Sequence, residues 1–185
     1  MSLGTVRRTD LALDRADAEA ALAGIRVAYF ATADGDGEPY VMPCLFVWAD
    51  GLLQFHTTRA VGHFARNLAH RPRLCFAAAE MGEVYPYGGF ACDATTSYVS
   101  VIGVGPVRVE AASDDKARFF DRFLAKYADP GWNHPAGFYP RLDDVTVYAI
   151  EPETLTGKRI PLPPLGERWP AQNRTRSPGA RLQDR

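Results

Sequence analysis

The chain has 185 residues with 21 Lys and Arg against 22 Asp and Glu, a formal net charge of −1, which argues against a dedicated nucleic-acid binder and leaves small molecules or protein as partners. That length suits one domain able to bury roughly 70% of its unfolded surface without staples. There is no apolar run long enough for a membrane span and no signal-peptide core, and Cys44, Cys75 and Cys92 are scattered among apolar neighbours, so the expectation is a cytoplasmic protein with reduced, buried thiols and no membrane contact.

Residues 14–24 start acidic, run through alanines and end on Gly24, which predicts a short lid or packing helix and sets apart an N-terminal segment, 1–24, from the body at 25–160. Residues 25–33 are β-branched and aromatic, Asp34, Gly35, Asp36 and Gly37 form a turn, and 39–48 continue as a second strand. This is a hairpin. The second strand is apolar at almost every position, so both its faces need cover from core, a partner subunit or a flat ligand, while Pro43 removes a ladder donor and predicts an edge or irregularity. Asp50 and Gly51 turn the chain into a third strand at 52–58. A meander of this kind excludes a Rossmann arrangement, which places a helix after each strand.

The third strand ends in His56, Thr57 and Thr58, and a helix is expected from about Arg59 to His70, where Pro72 prevents continuation. Val61, Phe64, Ala65 and Leu68 fall at helical spacing and are expected to pack inward, with Arg59, His63, Arg66 and His70 as a stripe beside them. Gly62 lets a ligand approach the backbone. Unpaired N–H groups at a helix start, threonine hydroxyls and nearby cations together suit a phosphate.

Residues 74–79 predict a fourth strand, followed by an irregular stretch at 80–96 whose aromatic, Gly and Pro residues either cover a pocket or pack on a barrel end. The strongest strand pattern is 97–110, with Gly103 and Gly105 marking a bend and lacking the third glycine of a dinucleotide fingerprint. A helix capped at Ser113 is expected to reach Tyr127 with Ala117, Phe120, Phe123, Leu124 and Tyr127 on its core face. The lone loop histidine, His134, reads as a surface residue. A last strand pattern spans 145–150, and the Pro- and Arg-rich tail at 161–185 has too few apolar residues to fold alone, although Trp169 and Leu182 offer docking points.

The sequence His56-Thr57-Thr58, then Gly62-His63 with Arg66-Asn67-Leu68, then Pro72-Arg73-Leu74-Cys75-Phe76 resembles the pyridoxamine 5'-phosphate oxidase-like FMN-binding split-barrel family, nearest the branch of the 5-nitroimidazole resistance reductases. Tyr98, Ser100 and Val101 in the long strand and Thr156-Gly157-Lys158-Arg159 extend the likeness to about residues 25–159. The resemblance implies a mainly β (α+β) fold, a six-stranded antiparallel split β-barrel with flanking short helices, in a homodimer with FMN at the subunit interface. It implies that the corner of His56, Thr57, Thr58, Arg59, Gly62, His63, Arg66 and Asn67 holds the flavin phosphate. Pro43, Cys44 and Leu45 would lie along the isoalloxazine, and Lys158 and Arg159 near the flavin of the neighbouring subunit. Members usually carry Arg or Lys directly after the glycine, whereas here His63 and Phe64 follow Gly62, and Arg59 and Arg66 are the available replacements.

The function implied is a flavin-dependent oxidoreductase acting on a small molecule, with a vitamin B6 phosphate ester, a nitroaromatic and a quinone all open as substrates and no side-chain base required. The alternative is a protein that holds flavin or haem without turnover, with His56, His63 or His134 as axial ligand. A zinc site is a third reading, weakened by the absence of any C-x-x-C pair.

Overall fold

The computed structural model describes residues 6–87, 92–132, 135, 137–164 and 168. His134, Trp169 and Leu182 lie outside them, as do most of the tail and the end of the aromatic stretch. In chain order the elements are β1 (Ala12–Leu13), α1 (Arg15–Gly24), β2 (Val27–Ala33), β3 (Pro39–Ala49), β4 (Leu52–Thr58), α2 (His63–His70), β5 (Arg73–Pro86), β6 (Ala94–Glu110), α3 (Ser113–Tyr127), β7 (Val145–Ile150) and β8 (Thr154–Ile160).

All strand pairs are antiparallel, in the order β1-β8-β6-β5-β2-β3-β4-β7, and a further β6–β7 pairing closes six of them into a ring. The six-stranded split barrel expected from the sequence is therefore present, with β8 and β1 added on the outside of β6. The 17-residue β6 serves both sheets because it changes partner: Tyr98 to Val104 pair with β8, and Val107 to Glu110 with β7. Gly105 stands at the changeover, where a Cβ would lie 2.3 Å from the Glu151 carbonyl oxygen. The tight approach of the β7–β8 turn excludes any side chain there.

The barrel interior is filled by alternate residues of each strand. Phe30, Phe46, Phe55 and Phe76 have no exposed surface; Phe30 stacks on Phe55 at 4.0 Å between centroids, and Phe55 on Tyr148 at 5.2 Å. Asp14 caps α1 by accepting from the Asp17 N–H at 2.8 Å, and Ala18, Ala21 and Leu22 join the same core. Gly157 permits this, since a Cβ there would meet Leu13 and Ala18 at 3.0 to 3.2 Å.

Helix α3 covers the outer face of the barrel in a second cluster centred on Val47, Phe119 and Val147. Two expectations are corrected here. The fully buried residue of this helix is Phe119, outside the stripe read from the sequence, with Phe120 and Phe123 flanking it. The N-cap is Ala112 with no side-chain cap, and Ser113 is the first helical residue.

Three further corrections concern the strands, α2 and a cysteine. The stretch read as irregular from Glu80 belongs to β5 through Pro86, with a register shift between Met81 and Val84, and β6 starts at Ala94. Helix α2 begins at His63 rather than Arg59, because β4 stays paired to β7 through Thr58 and the Arg59 N–H donates to the Asp144 carbonyl at 2.9 Å. Val61 thus precedes the helix and is exposed, while Phe64 and Leu68 pack inward as expected. Cys44 and Cys75 are free and half-buried, but Cys92 is exposed.

Candidate functional site

The barrel is split beside Pro43. Strands β3 and β4 pair only from Phe46–Phe55 to Ala49–Leu52, so residues 43–45 of β3 and 56–58 of β4 diverge without a ladder between them. Pro43, which has no N–H to donate, sits on this unpaired edge. The gap is held from the side. Cys44 Sγ lies 3.4 Å from the His56 carbonyl oxygen, and the Tyr127 hydroxyl accepts the Phe46 N–H at 3.1 Å while lying 2.7 Å from the carbonyls of Arg26 and Phe46. Burial pushes both the Cys44 thiol and the Tyr127 hydroxyl pKa up, so both stay protonated near neutrality.

Beyond the split, β4 delivers Thr57 and Thr58 to a corner that α2 completes. Gly62 is the N-cap, in extended conformation and unable to offer a side-chain acceptor, so no side chain caps the first-turn N–H groups. A Cβ on Gly62 would have no atom within 4 Å, which leaves open space in front of the helix start. Arg59, His63 and Arg66 are exposed around it. Among the described residues the hydrogen bonds of the two guanidinium groups are long ones to carbonyls: Arg59 Nη1 to Asp143 at 3.4 Å and Arg66 Nη1 to Val61 at 3.4 Å. Neither arginine has an acidic partner among the described residues. The His63 ring stacks on Tyr40 of β3 at 5.1 Å, which ties the corner back to the strand beside the split. Two cations without an acidic partner among the described residues, at an uncapped helix start with space kept clear by a glycine, give the corner a chemistry that suits an anion.

Two residues of the expected corner are turned away from it. The Asn67 side chain is 3% exposed and donates through Nδ2 to Thr32 Oγ1 at 3.1 Å. His56 faces α3, its ring 5.2 to 5.6 Å from those of Phe119, Phe120 and Phe123. Its Nδ1 is buried without a partner among the described residues, and burial lowers the ring's pKa. The Thr57 hydroxyl is used locally, donating to the Thr58 carbonyl at 3.0 Å. In each case the sequence places the residue near the corner, and the strand or helix phase then decides where its side chain goes.

Of the remaining expected residues, Pro43, Leu45 and Lys158 share the outer face of the sheet. Pairing puts Pro43, Tyr29, Ala77, Ile102 and Thr156 in one row across five strands. In the adjacent row Leu45 lies opposite Val27 and Ser100 lies opposite Lys158. At about 4.8 Å per strand, Pro43 and Thr156 are roughly 19 Å apart. Lys158, with Ser100, Ile102, Thr156 and the N-terminal Val6 and Arg7, lines a cavity of about 370 Å³ at the far end of this face. Arg159, one residue on, is exposed on the other side of β8. The corner with the Pro43 edge and the Lys158 cavity are therefore two separate regions of the chain. The face between them is apolar and open: Tyr29, Val41 and Ile102 are 53%, 59% and 48% exposed. Its apolar character was legible in the strand composition, but the alignment of Pro43 with Thr156 needed the register.

Residues 14–159 match the family model of pyridoxamine 5'-phosphate oxidase, and the chain belongs to that family. The likeness read from the sequence is thus borne out, and it extends further toward the N-terminus, through α1. No curated protein sequence matches the chain. Among solved structures it is similar to a protein described as a 5-nitroimidazole antibiotic resistance protein from Bacteroides thetaiotaomicron, at 18% identity over 80% of this chain and 86% of that one, with a TM-score of 0.66. It is also similar to the flavocytochrome Anf3 from Azotobacter vinelandii (19% identity, 87% and 74% covered, TM-score 0.73). A third is the FAD and haem binding protein from Mycobacterium smegmatis (21% identity, 79% and 71% covered, TM-score 0.63). At these identities the likeness establishes a shared fold.

Proposed function

We propose that this protein binds FMN between two copies of itself and acts as a flavin-dependent oxidoreductase on a small molecule. The observation that carries the reading is the corner at α2, where Arg59 and Arg66 have no acidic partner among the described residues, beside an uncapped helix start and a glycine that keeps the space open. Family membership and the flavin-binding proteins among its structural neighbours support it.

In this reading the phosphate rests against the first-turn N–H groups of α2 with Arg59, Arg66 and the Thr58 hydroxyl around it. Pro43 and Leu45 present an apolar strand edge to the flavin ring, and Lys158 of a second copy approaches from the opposite side, with Arg159 on the other face of β8. When bound, the isoalloxazine supplies the redox chemistry, and the chain's own residues bind and orient it and exclude water. A haem-ligand role for His56 would require freeing its ring from three phenylalanines, so the flavin reading is preferred.

The absent lysine sets the energetic question. A flavin mononucleotide of about thirty heavy atoms at about −0.3 kcal/mol per atom gives roughly −9 kcal/mol, or sub-micromolar binding. One charge-assisted phosphate contact contributes on the order of 1.5 to 3 kcal/mol, so the two arginines decide whether that affinity is kept. Arg59→Ala or Arg66→Ala is expected to weaken FMN binding about tenfold or more while leaving riboflavin, which lacks the phosphate, unchanged. Fluorescence titration of both flavins reads this directly. Variants that bind FMN like the parent, or that weaken riboflavin equally, would move the phosphate elsewhere.

A further inference from the structure

The cavity of about 370 Å³ beside Lys158 is lined by two cations, Arg7 and Lys158, by the hydroxyl residues Ser100 and Thr156, and by the apolar Val6 and Ile102. Strand β1 brings the two cations to it. Its pairing of Ala12 with Lys158 and Leu13 with Gly157 lays the N-terminal segment back along β8, so Arg7 reaches the space that Lys158 lines from the sheet. The neighbouring Arg8 is committed to Asp10 through hydrogen bonds of 2.8 and 2.5 Å. Arg7 and Lys158 have no acidic partner among the described residues; Lys158 Nζ lies over the Tyr98 ring, 5.8 Å from its centroid.

Two like charges gathered at one cavity repel each other, and no carboxylate of the lining offsets them. Guanidinium and ammonium groups can only donate hydrogen bonds. The Thr156 hydroxyl is turned to the Ile102 carbonyl at 3.5 Å, whereas the Ser100 hydroxyl makes no hydrogen bond among the described residues. The chemical complement of this lining is an anion. Val6 and the 48% exposed Ile102 add an apolar wall, and Ile102 belongs to the row that runs across the sheet to Pro43.

We propose that this cavity holds the anionic group of the substrate, a small organic anion with an apolar body. Its carboxylate or phosphate is gripped by Arg7 and Lys158, with the Ser100 hydroxyl donating beside them and the apolar body along Val6 and Ile102. The assignment to a substrate rests on the flavin reading, in which the Lys158 side of one copy faces the flavin of the other.

The test uses the full chain loaded with FMN, so that the corner at α2 is filled, and three probes of one shape: benzoate, phenyl phosphate and benzyl alcohol. By calorimetry at low salt, benzoate or phenyl phosphate is expected to bind saturably and at least about tenfold tighter than neutral benzyl alcohol, and the tighter of the two identifies the anion. Saturation with it should also shift the visible flavin band. Arg7→Gln and Lys158→Gln should each weaken the anion about tenfold, and Arg7→Gln, at an exposed position apart from the flavin contacts, should retain the parent melting temperature and FMN affinity. Equal binding of benzyl alcohol, parental anion binding by Arg7→Gln, or a flavin band unmoved by saturating anion would overturn the proposal while FMN binding stands. Failure of the flavin reading would show separately, as a chain that takes up no FMN, and the substrate assignment would fall with it.

Discussion

His56 illustrates how a residue with a functional appearance in the sequence acquires a structural environment. It opens the motif that carries the family likeness, yet its ring is packed among Phe119, Phe120 and Phe123 and its Nδ1 has no partner among the described residues. Burial alone lowers its pKa below 6.5. The unfolded chain therefore takes up a proton at a higher pH than the folded one, and the stability present above 6.5 is lost as pH falls through that value toward the folded pKa. Replacing the ring with His56→Phe keeps the aromatic packing and removes the titration. Thermal unfolding of that variant should show a shallower loss of stability from about pH 7.5 to about pH 5.5 than the parent. An unchanged acid slope would show that His56 is not responsible. Arg59 and Arg66 are the opposite case: little in the fold needs their side chains, so their effect is expected in the ligand titration.

At the scale of elements, the glycines separate structural from functional demands. Gly105 lies where β6 exchanges β8 for β7, and Gly105→Ala would drive a methyl group into the Glu151 carbonyl. A loss of about 1 to 3 kcal/mol in urea unfolding is expected; a variant as stable as the parent would mean that the corner can relax. Gly62→Ala meets no atom within 4 Å, so its effect should fall on FMN affinity rather than on stability. Much of this level was legible in the sequence. The Asp50-Gly51 turn was marked by residues that accept positive φ, and both adopt it, at 54° and 76°. The bend at Gly103 and Gly105 was marked by glycines in a β-branched run. Other features were hidden because local pattern and tertiary contact disagree. Residues 80–86 are too polar and interrupted to read as strand, yet pairing to β6 holds them extended. Arg59 to Val61 suit a helix, but the bond to Asp144 and the β4–β7 ladder keep Arg59 out of it. Phe119 is selected over its neighbours by the direction from which α3 meets Val47 and Val147.

At the scale of the molecule, the central claim is that one chain carries two incomplete halves of a flavin site. The row from Pro43 to Ile102 exposes apolar side chains, the surface that the proposed pairing of two copies would cover. The roughly 19 Å between the Pro43 and Thr156 positions keeps a flavin lying on β3 from reaching β8 of the same chain. A two-fold arrangement, with this face against its own copy, would bring the Lys158 cavity of one chain over the Pro43 edge of the other and complete two equal sites. In the sequence this face was legible only as surplus apolar strand surface, since the register that aligns the rows is a property of the closed barrel. Sedimentation velocity at micromolar protein with FMN, followed in the visible flavin band, tests the claim most directly. The account predicts that the bound flavin sediments with a species of twice the 20.3 kDa chain mass, whereas full-affinity FMN travelling with a monomer would contradict it.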